Sequence, residues 1–348
     1  MRITKSVQRL EAYVPGEQPK SPNVVKLNTN ENAYPPSPAC AEVMKGFDLD
    51  KLRRYPDPNF SALRAAIAKQ YRTKPERVFV GNGSDEVLAI AAKAFVENDE
   101  RIGSLDPSYS LYKTLAAIRD VAWTGTPAGN GKSKNGDLKK VSLFLWTNPN
   151  APTGVLAPKE EIAAFARTFK GVVIVDEAYA DFARWNCLDL ATAEDNRNVI
   201  VMRTFSKSYS LAGLRVGYCI GPEDLIEALY KVKDSYNVDA IAQAVALAAF
   251  QDRAYHRKTV AAVVKTRKAF SKALAKRGWD VLPSDSNFVF AKPPAPATAA
   301  DLFAALKRRE IFVRYFPGPL TGDRLRITIG TDEQMATLLA ALDAEAEA

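Results

Sequence analysis

Four runs of strand length constrain this chain more than any other feature: VSLFLW (141–146), VVIVDEAY (172–179), NVIVMRTFS (198–206) and RVGYCIG (215–221). Each is a continuous apolar or β-branched stretch rather than an alternation, and helical patterning fills most of the chain between them. A strand that is apolar on both faces must be covered on both. The pattern therefore predicts an α/β fold whose mostly parallel sheet is packed between helices. Val78 to Val80 runs through Gly-Asn-Gly-Ser into DEVLAIAAKAFV, which reads as one more strand, glycine turn and helix. In such sheets ligands bind beyond the carboxyl ends of the strands.

The remainder of the chain changes character. From about Pro222 to Gly278 it is Ala-rich and helical in pattern; SNFVFAKPP, FVRYF and RLRITIGT then read as strands, ADLFAALKRREI as a helix, and a closing helix starts near Asp332. This predicts a smaller α+β C-terminal domain. At roughly 150 residues per domain, a length of 348 also argues for two. The expected division is an N-terminal arm over 1–27, a large domain over 28–245 and a small domain over 246–348. GNGKSKNGD reads as a surface turn, and the tail DAEAEA as a fraying end.

Composition removes several chemistries. The single histidine, His256, excludes two- and three-histidine metal sites, and no metal is expected. Cys40, Cys187 and Cys219 are far apart and lack metal or redox spacing, which favours a reducing compartment. The N-terminal stretch has no apolar core of a signal peptide, and AIAQAVALAAF is too short to span a bilayer, so the chain reads as cytoplasmic with no membrane partner. A net charge of +8 raises the question of nucleic acid, yet no run of five basic residues occurs. The charge reads as a solvated surface whose field favours small anionic ligands.

Chemistry concentrates in a few strings. In TFSKSYSLAGLRVGY (204–218), Lys207 follows a buried-type strand and Arg215 lies eight residues on. A lone lysine is ordinarily a solvated one, but a lysine held at a strand end away from water is what Schiff-base chemistry requires. Asp176 ends the strand before it, where a carboxylate needs a cationic partner: the pyridinium of pyridoxal 5′-phosphate (PLP) is one candidate, and a structural salt bridge is the other. GNGSDE (81–86) places Ser84 and Asp85 where helix-terminal amides can meet a phosphate, with Thr204, Ser206 and Arg215 as further donors. Tyr109, in DPSYSLY, sits on another turn from which its ring can stack on a flat cofactor.

Together SK with LAGLR, DEAY, NPNAPTG, NTNEN and YPD resemble the PLP-dependent aminotransferases of the aspartate aminotransferase fold, and among them the histidinol-phosphate aminotransferases. The resemblance runs from about Tyr13 to RLRITIGT. It implies that Lys207 bonds to PLP, Asp176 pairs with its ring nitrogen, and Tyr179 meets its phenolic oxygen. Gly83, Ser84, Asp85, Thr204, Ser206 and Arg215 would surround the phosphate, and Tyr109 would cover the ring. Tyr55 would reach the phosphate of a partner subunit, which implies a homodimer, and the arm would pack on the small domain and that partner. For substrates, the resemblance implies Arg326 and Arg314 on anionic groups, with Tyr13, Asn30 and Tyr109 lining the pocket. The family has an asparagine directly before its Pro-Thr-Gly; here that position is Ala151, leaving Asn150 or Tyr179 alone for the phenolic oxygen. NTNENAYPPSP also lacks the proline and glycine that often follow. The implied reaction interconverts histidinol phosphate and 2-oxoglutarate with imidazole-acetol phosphate and glutamate. Threonine-phosphate decarboxylation, aromatic amino acid transamination and, more distantly, ligand binding without catalysis are the alternatives.

Overall fold

The computed structural model describes residues 3–10, 16–19, 21, 24–127 and 138–347. The chain opens with α1 (Lys5–Arg9), β1 (Val25–Lys26), α2 (Pro38–Lys45) and α3 (Ser61–Gln70). The large sheet follows as β2 (Val78–Gly81), β3 (Arg101–Asp106), β4 (Ala122–Pro127), β5 (Val141–Thr147), β6 (Val172–Asp176), β7 (Val199–Thr204) and β8 (Gly217–Ile220). Between successive strands lie α4 (Ser84–Phe95), α5 (Leu111–Ile118), α6 (Lys159–Thr168) and α7 (Leu188–Thr192). The order across the sheet is β2-β8-β7-β6-β5-β3-β4.

Alternate residues of each central strand feed two cores. Val173, Val175, Val199 and Val201 pack with α3 and α6, while Ile174, Ile200 and Met202 pack with α4 and α5. This two-sided burial is why the runs are continuously apolar. β3 to β7 are parallel neighbours, but β8 is antiparallel to both β7 and β2. The reason is local: the chain turns back between Thr204 and Gly217 with no crossover helix, so β8 returns in the opposite direction.

Three helices, α8 (Glu223–Val232), α9 (Ala240–Gln251) and α10 (Arg253–Lys276), lead to β9 (Asp280–Val281) and β10 (Phe288–Lys292). Then come α11 (Ala299–Arg308), β11 (Ile311–Phe312), β12 (Arg314–Tyr315), β13 (Leu325–Thr328) and α12 (Asp332–Ala346). β12-β13-β10-β9 form an antiparallel sheet, and β1 pairs in parallel with β11. Val263, Phe270 and Leu274 of α10, Leu302 and Leu306 of α11, and Leu338 of α12 close its core, joined by Leu27.

Three expectations need adjustment. Position 245 lies inside α9, whose Ala246, Ala249 and Phe250 pack into the large-sheet core, so the helix belongs whole to that side. The arm is divided: β1 pairs with the small unit's β11, whereas α1 lies against α5 and Arg9 pairs with Asp120 at 3.1 Å. The tail does not fray at 343, because Arg277–Asp343 and Arg309–Glu345 ion pairs, 2.6 Å and 2.7 Å long, hold α12 through its last turn. The GNGKSKNGD turn lies outside the described residues. Among the described residues, no helix is long and apolar enough to cross a membrane, and all three cysteines are free and buried.

Candidate active site

A cleft of about 800 Å³ opens where Thr147, Asp176 and Thr204 end β5, β6 and β7, and it is closed from the other side by residues 28–31 and the β12–β13 ladder. Its inner end is rich in donors. α4 starts at Ser84 behind Gly83, whose φ of +83° favours glycine, and no side chain caps its first amides. Those amides and the helix dipole attract an anion. A Cβ on Gly217 would lie 2.5 Å from the Ser84 nitrogen, so glycine is what lets β8 run this close to the helix start. Arg215 extends over the same point. Its guanidinium donates to Ser206 Oγ at 3.4 Å and to Asp85 Oδ2 at 3.3 Å, and Thr204 Oγ1 donates to Ser206 Oγ at 3.0 Å. Asp85 thus contributes a carboxylate paired to Arg215, besides the amide expected of it.

The centre of the cleft holds the amine and two acids of different kinds. Lys207 Nζ donates to the Thr29 carbonyl at 3.2 Å and stands 5.9 Å from the Tyr179 ring centroid. Burial first, then the Arg326 charge, lowers its pKa from 10.5 to about 8, against opposing pulls from Glu31 and Asp85. Asn32 Nδ2 ties down its backbone by donating to the Lys207 and Ser208 carbonyls. Asp176 receives the Tyr112 hydroxyl on Oδ2 at 2.7 Å and the Ala178 amide on Oδ1 at 3.1 Å. Burial nevertheless raises its pKa to about 6. Tyr179 Oη accepts from Asn30 Nδ2 at 2.9 Å, and Asn30 is itself anchored to Thr328, so it serves the tyrosine. Tyr109 lines the cleft, with its hydroxyl donating to Asp85 Oδ1 at 3.3 Å.

At the outer end Arg314 and Arg326 face each other in register across β12 and β13. Arg326 Nη2 donates to the Asn28 carbonyl at 2.7 Å, and both guanidiniums lie over the Phe316 ring, at 5.1 Å and 5.3 Å. Like charges directly opposite on paired strands repel, and an anion between them removes the conflict. The cleft therefore offers two anion-binding ends separated by an amine and a buried carboxyl group.

Among the described residues, Asn150 and Tyr55 are not in this cleft. Asn150 is buried with its amide donating to the Pro107 carbonyl and Thr153 Oγ1, at 3.0 Å and 3.1 Å; its neighbour Ala151 lines the cleft instead, so Asn150 does not replace the missing asparagine. Tyr55 is 79% exposed, stacked on Tyr236 at 4.3 Å, and does not reach its own chain's cleft. Tyr13 lies outside the described residues. Conversely, Tyr112, Thr147, Asn32 and Phe316 went unread in the sequence. Tyr112, Asn32 and Phe316 each stood in a string already singled out, DPSYSLY, NTNEN and FVRYF, whereas Thr147 lies just before NPNAPTG and carried no signal.

Behind the cleft, Arg203 joins Glu177 at 2.6 Å and Asp181 at 2.7 Å, and Ser208 donates to Asp181. His256 stacks on Tyr209 at 4.2 Å with Nε2 3.4 Å from Asp181, so the single histidine is part of this buried support.

The family described as aminotransferase class I and II matches residues 22–342. A histidinol-phosphate aminotransferase of Aromatoleum aromaticum is 44% identical, covering 97% of this chain and 96% of its own. Histidinol-phosphate aminotransferase 2 of Thiobacillus denitrificans is 45% identical over the same shares, 97% and 96%. The crystal structure of histidinol-phosphate aminotransferase from Sinorhizobium meliloti in complex with pyridoxal-5′-phosphate superposes with a TM-score of 0.86 at 25% identity, covering 98% of this chain and 96% of that one. A lysine just beyond a strand end, a buried aspartate lining the same cleft and a match over nearly the whole length lead to one assignment: the chain belongs to the class I and II aminotransferases.

Proposed function

We propose that this chain is a PLP-dependent transaminase that exchanges the amino group of histidinol phosphate with 2-oxoglutarate, forming imidazole-acetol phosphate and glutamate. The observation that carries the reading is the pair of anion-binding ends on either side of Lys207, one at the start of α4 and one at Arg314 and Arg326. The residues present suit PLP: uncapped amides with Ser206 and Arg215 for its phosphate, Asp176 for its ring nitrogen, Tyr179 for its phenolic oxygen and Tyr109 beside its ring. When bound, PLP supplies an aldehyde that captures amines and a cationic ring that draws electrons from the adjacent carbon.

The chain's own groups do the rest. Lys207 Nζ, poised near neutrality, removes the substrate Cα proton and returns it to the far side of the same C–N unit. Asp176 holds the ring nitrogen's proton. Arg326 and Arg314 grip the substrate's phosphate in one half-reaction and a carboxylate in the other, since a guanidinium binds either through paired hydrogen bonds. We read the working molecule as a cytoplasmic homodimer in which Tyr55 serves the partner's site, with lobes dividing near Asp252 and the arm, Tyr13 included, folding over the substrate.

The test is glutamate production by the purified full chain from histidinol phosphate and 2-oxoglutarate, lost in Lys207→Ala. Release of carbon dioxide from L-threonine phosphate, or transfer from phenylalanine, with no glutamate from histidinol phosphate, overturns the substrate assignment.

A further inference from the structure

Asp176 is connected to Asn150 by an unbroken line of hydroxyls. Tyr112 Oη lies 2.7 Å from Asp176 Oδ2 and 2.6 Å from Thr147 Oγ1; Thr147 Oγ1 is 3.0 Å from Ser108 Oγ, and Ser108 Oγ is 3.1 Å from Asn150 Oδ1. The orientation of Asn150 is fixed, because its Nδ2 must face the Pro107 carbonyl, which only accepts. Asn150 therefore offers Ser108 an acceptor and no proton.

Counting protons along this line gives an asymmetry. There are four contacts, and each of the three hydroxyls brings one proton. With Asp176 ionised, both ends of the line only accept, and three protons serve four contacts. One pair of oxygens then faces each other without a hydrogen between them. With a proton on Asp176 Oδ2, the carboxyl donates to Tyr112 in place of accepting from it, and every contact is filled, all pointing toward Asn150. Tyr112, Thr147 and Asn150 are buried, where an unmade hydrogen bond is costly.

The other groups facing Asp176 do not reverse the preference. Asp85 on α4 and the adjacent Glu177 also disfavour its charge, the Ala178 amide favours it, and Tyr179 brings a neutral phenol. Tyr112, when it donates, also favours the charge; none of the strongest influences on Asp176 is a cation, and burial outweighs the hydrogen bonds, so the carboxyl keeps its proton up to about pH 6.

We propose that the Tyr112–Thr147–Ser108–Asn150 line stores a proton on Asp176 in the cofactor-free protein in mildly acidic solution, and that there this proton passes to the ring nitrogen of the cofactor as it docks. The Asp176 O–H bond breaks and a ring N–H bond forms; no electrons are gained or lost, and the pair's net charge is unchanged. Tyr112 then turns its hydroxyl proton from Thr147 to the newly formed carboxylate. Asn150, excluded from the cofactor's phenolic oxygen by its orientation, has its role at the far end of this line. The inference rests on PLP being the cofactor.

The experiment follows the Asp176 carboxyl by ¹³C NMR in full-length cofactor-free protein carrying carboxyl-labelled aspartate, with Asp176→Asn assigning the resonance. Thr147→Val and Ser108→Ala each break the line beyond Tyr112 and leave two contacts served by two hydroxyl protons, so the ionised form no longer lacks one. Both are expected to lower the midpoint by about one pH unit from that of the wild type. Midpoints unchanged in both variants would overturn the proposal, because burial and the Tyr112 bond are the same in all three proteins. In protein loaded with cofactor labelled at the ring nitrogen, the ¹⁵N resonance is expected at the pyridinium position; a neutral-pyridine shift overturns the transfer. A wild-type protein that does not take up PLP would overturn the cofactor assignment, whereas the carboxyl titrations report on the line itself.

Discussion

Burial and the Arg326 guanidinium pull the Lys207 pKa down to about 8, so below that pH the cation prevails and above it the free amine. Two measurements follow. The rate at which cofactor-free protein takes up PLP should rise with pH to a plateau, with its midpoint near 8 instead of 10.5. Arg326→Gln should move that midpoint upward by part of the difference, since burial, the larger cause, remains; an unmoved midpoint would show that Arg326 does not act on the amine. Linkage gives the second measurement. The unfolded chain keeps the Lys207 proton up to its ordinary pKa while the folded chain has released it, so wild-type stability should gain between pH 8 and 10.5. Urea unfolding of Lys207→Met should lack that gain, and equal slopes in the two proteins would sink the argument.

At the scale of elements, the junction of β8 with the start of α4 is a close backbone-to-backbone approach beside the inner anion site. Gly217→Ala would push a Cβ to 2.5 Å from the Ser84 nitrogen and 2.8 Å from the Gly83 carbonyl carbon, both backbone atoms with little room to yield. Overpacking of this kind costs about 1–3 kcal/mol. The expected result is a lowered urea midpoint together with weakened PLP binding, because the shift displaces the amides that meet the phosphate. Loss of stability with unchanged PLP affinity would mean that those amides do not hold it. The elements themselves were largely legible, since two-sided burial writes each parallel strand as a continuous apolar run. β8 was legible as a strand, but its antiparallel direction depends on the turn between Thr204 and Gly217, which periodicity does not report. The same limit applies within the site. Lys207, Asp176 and Arg215 stand at strand ends where chemistry could be read from residue type, whereas the contact of Tyr112 with Asp176 joins residues 64 apart and needs the fold. Asn150 shows the converse: its position in the NPNAPTG string was visible, and the direction of its amide was not.

At the scale of the whole molecule, the feature without a use inside one chain is an exposed apolar strip. Met44, Leu49, Leu52 and Tyr55 are each at least half exposed, and Tyr55 stacks on Tyr236, itself exposed. Such a strip marks an interaction face, and the proposed dimer gives Tyr55 a definite task, reaching the partner's inner anion site. A two-fold dimer makes this testable through hybrids. Lys207→Ala lacks the amine but keeps Tyr55; Tyr55→Phe keeps the amine but lacks the hydroxyl, and its PLP affinity should fall roughly tenfold for the loss of one bond to a charged group. If each site takes its lysine from one chain and its tyrosine from the other, a hybrid dimer contains one site with both intact. An equimolar mixture that exchanges subunits should then recover wild-type PLP affinity in about one site in four, as random pairing of two-fold dimers requires. If Tyr55 serves its own chain, no pairing of these variants creates an intact site, and mixing leaves the binding curve as the sum of the two parents.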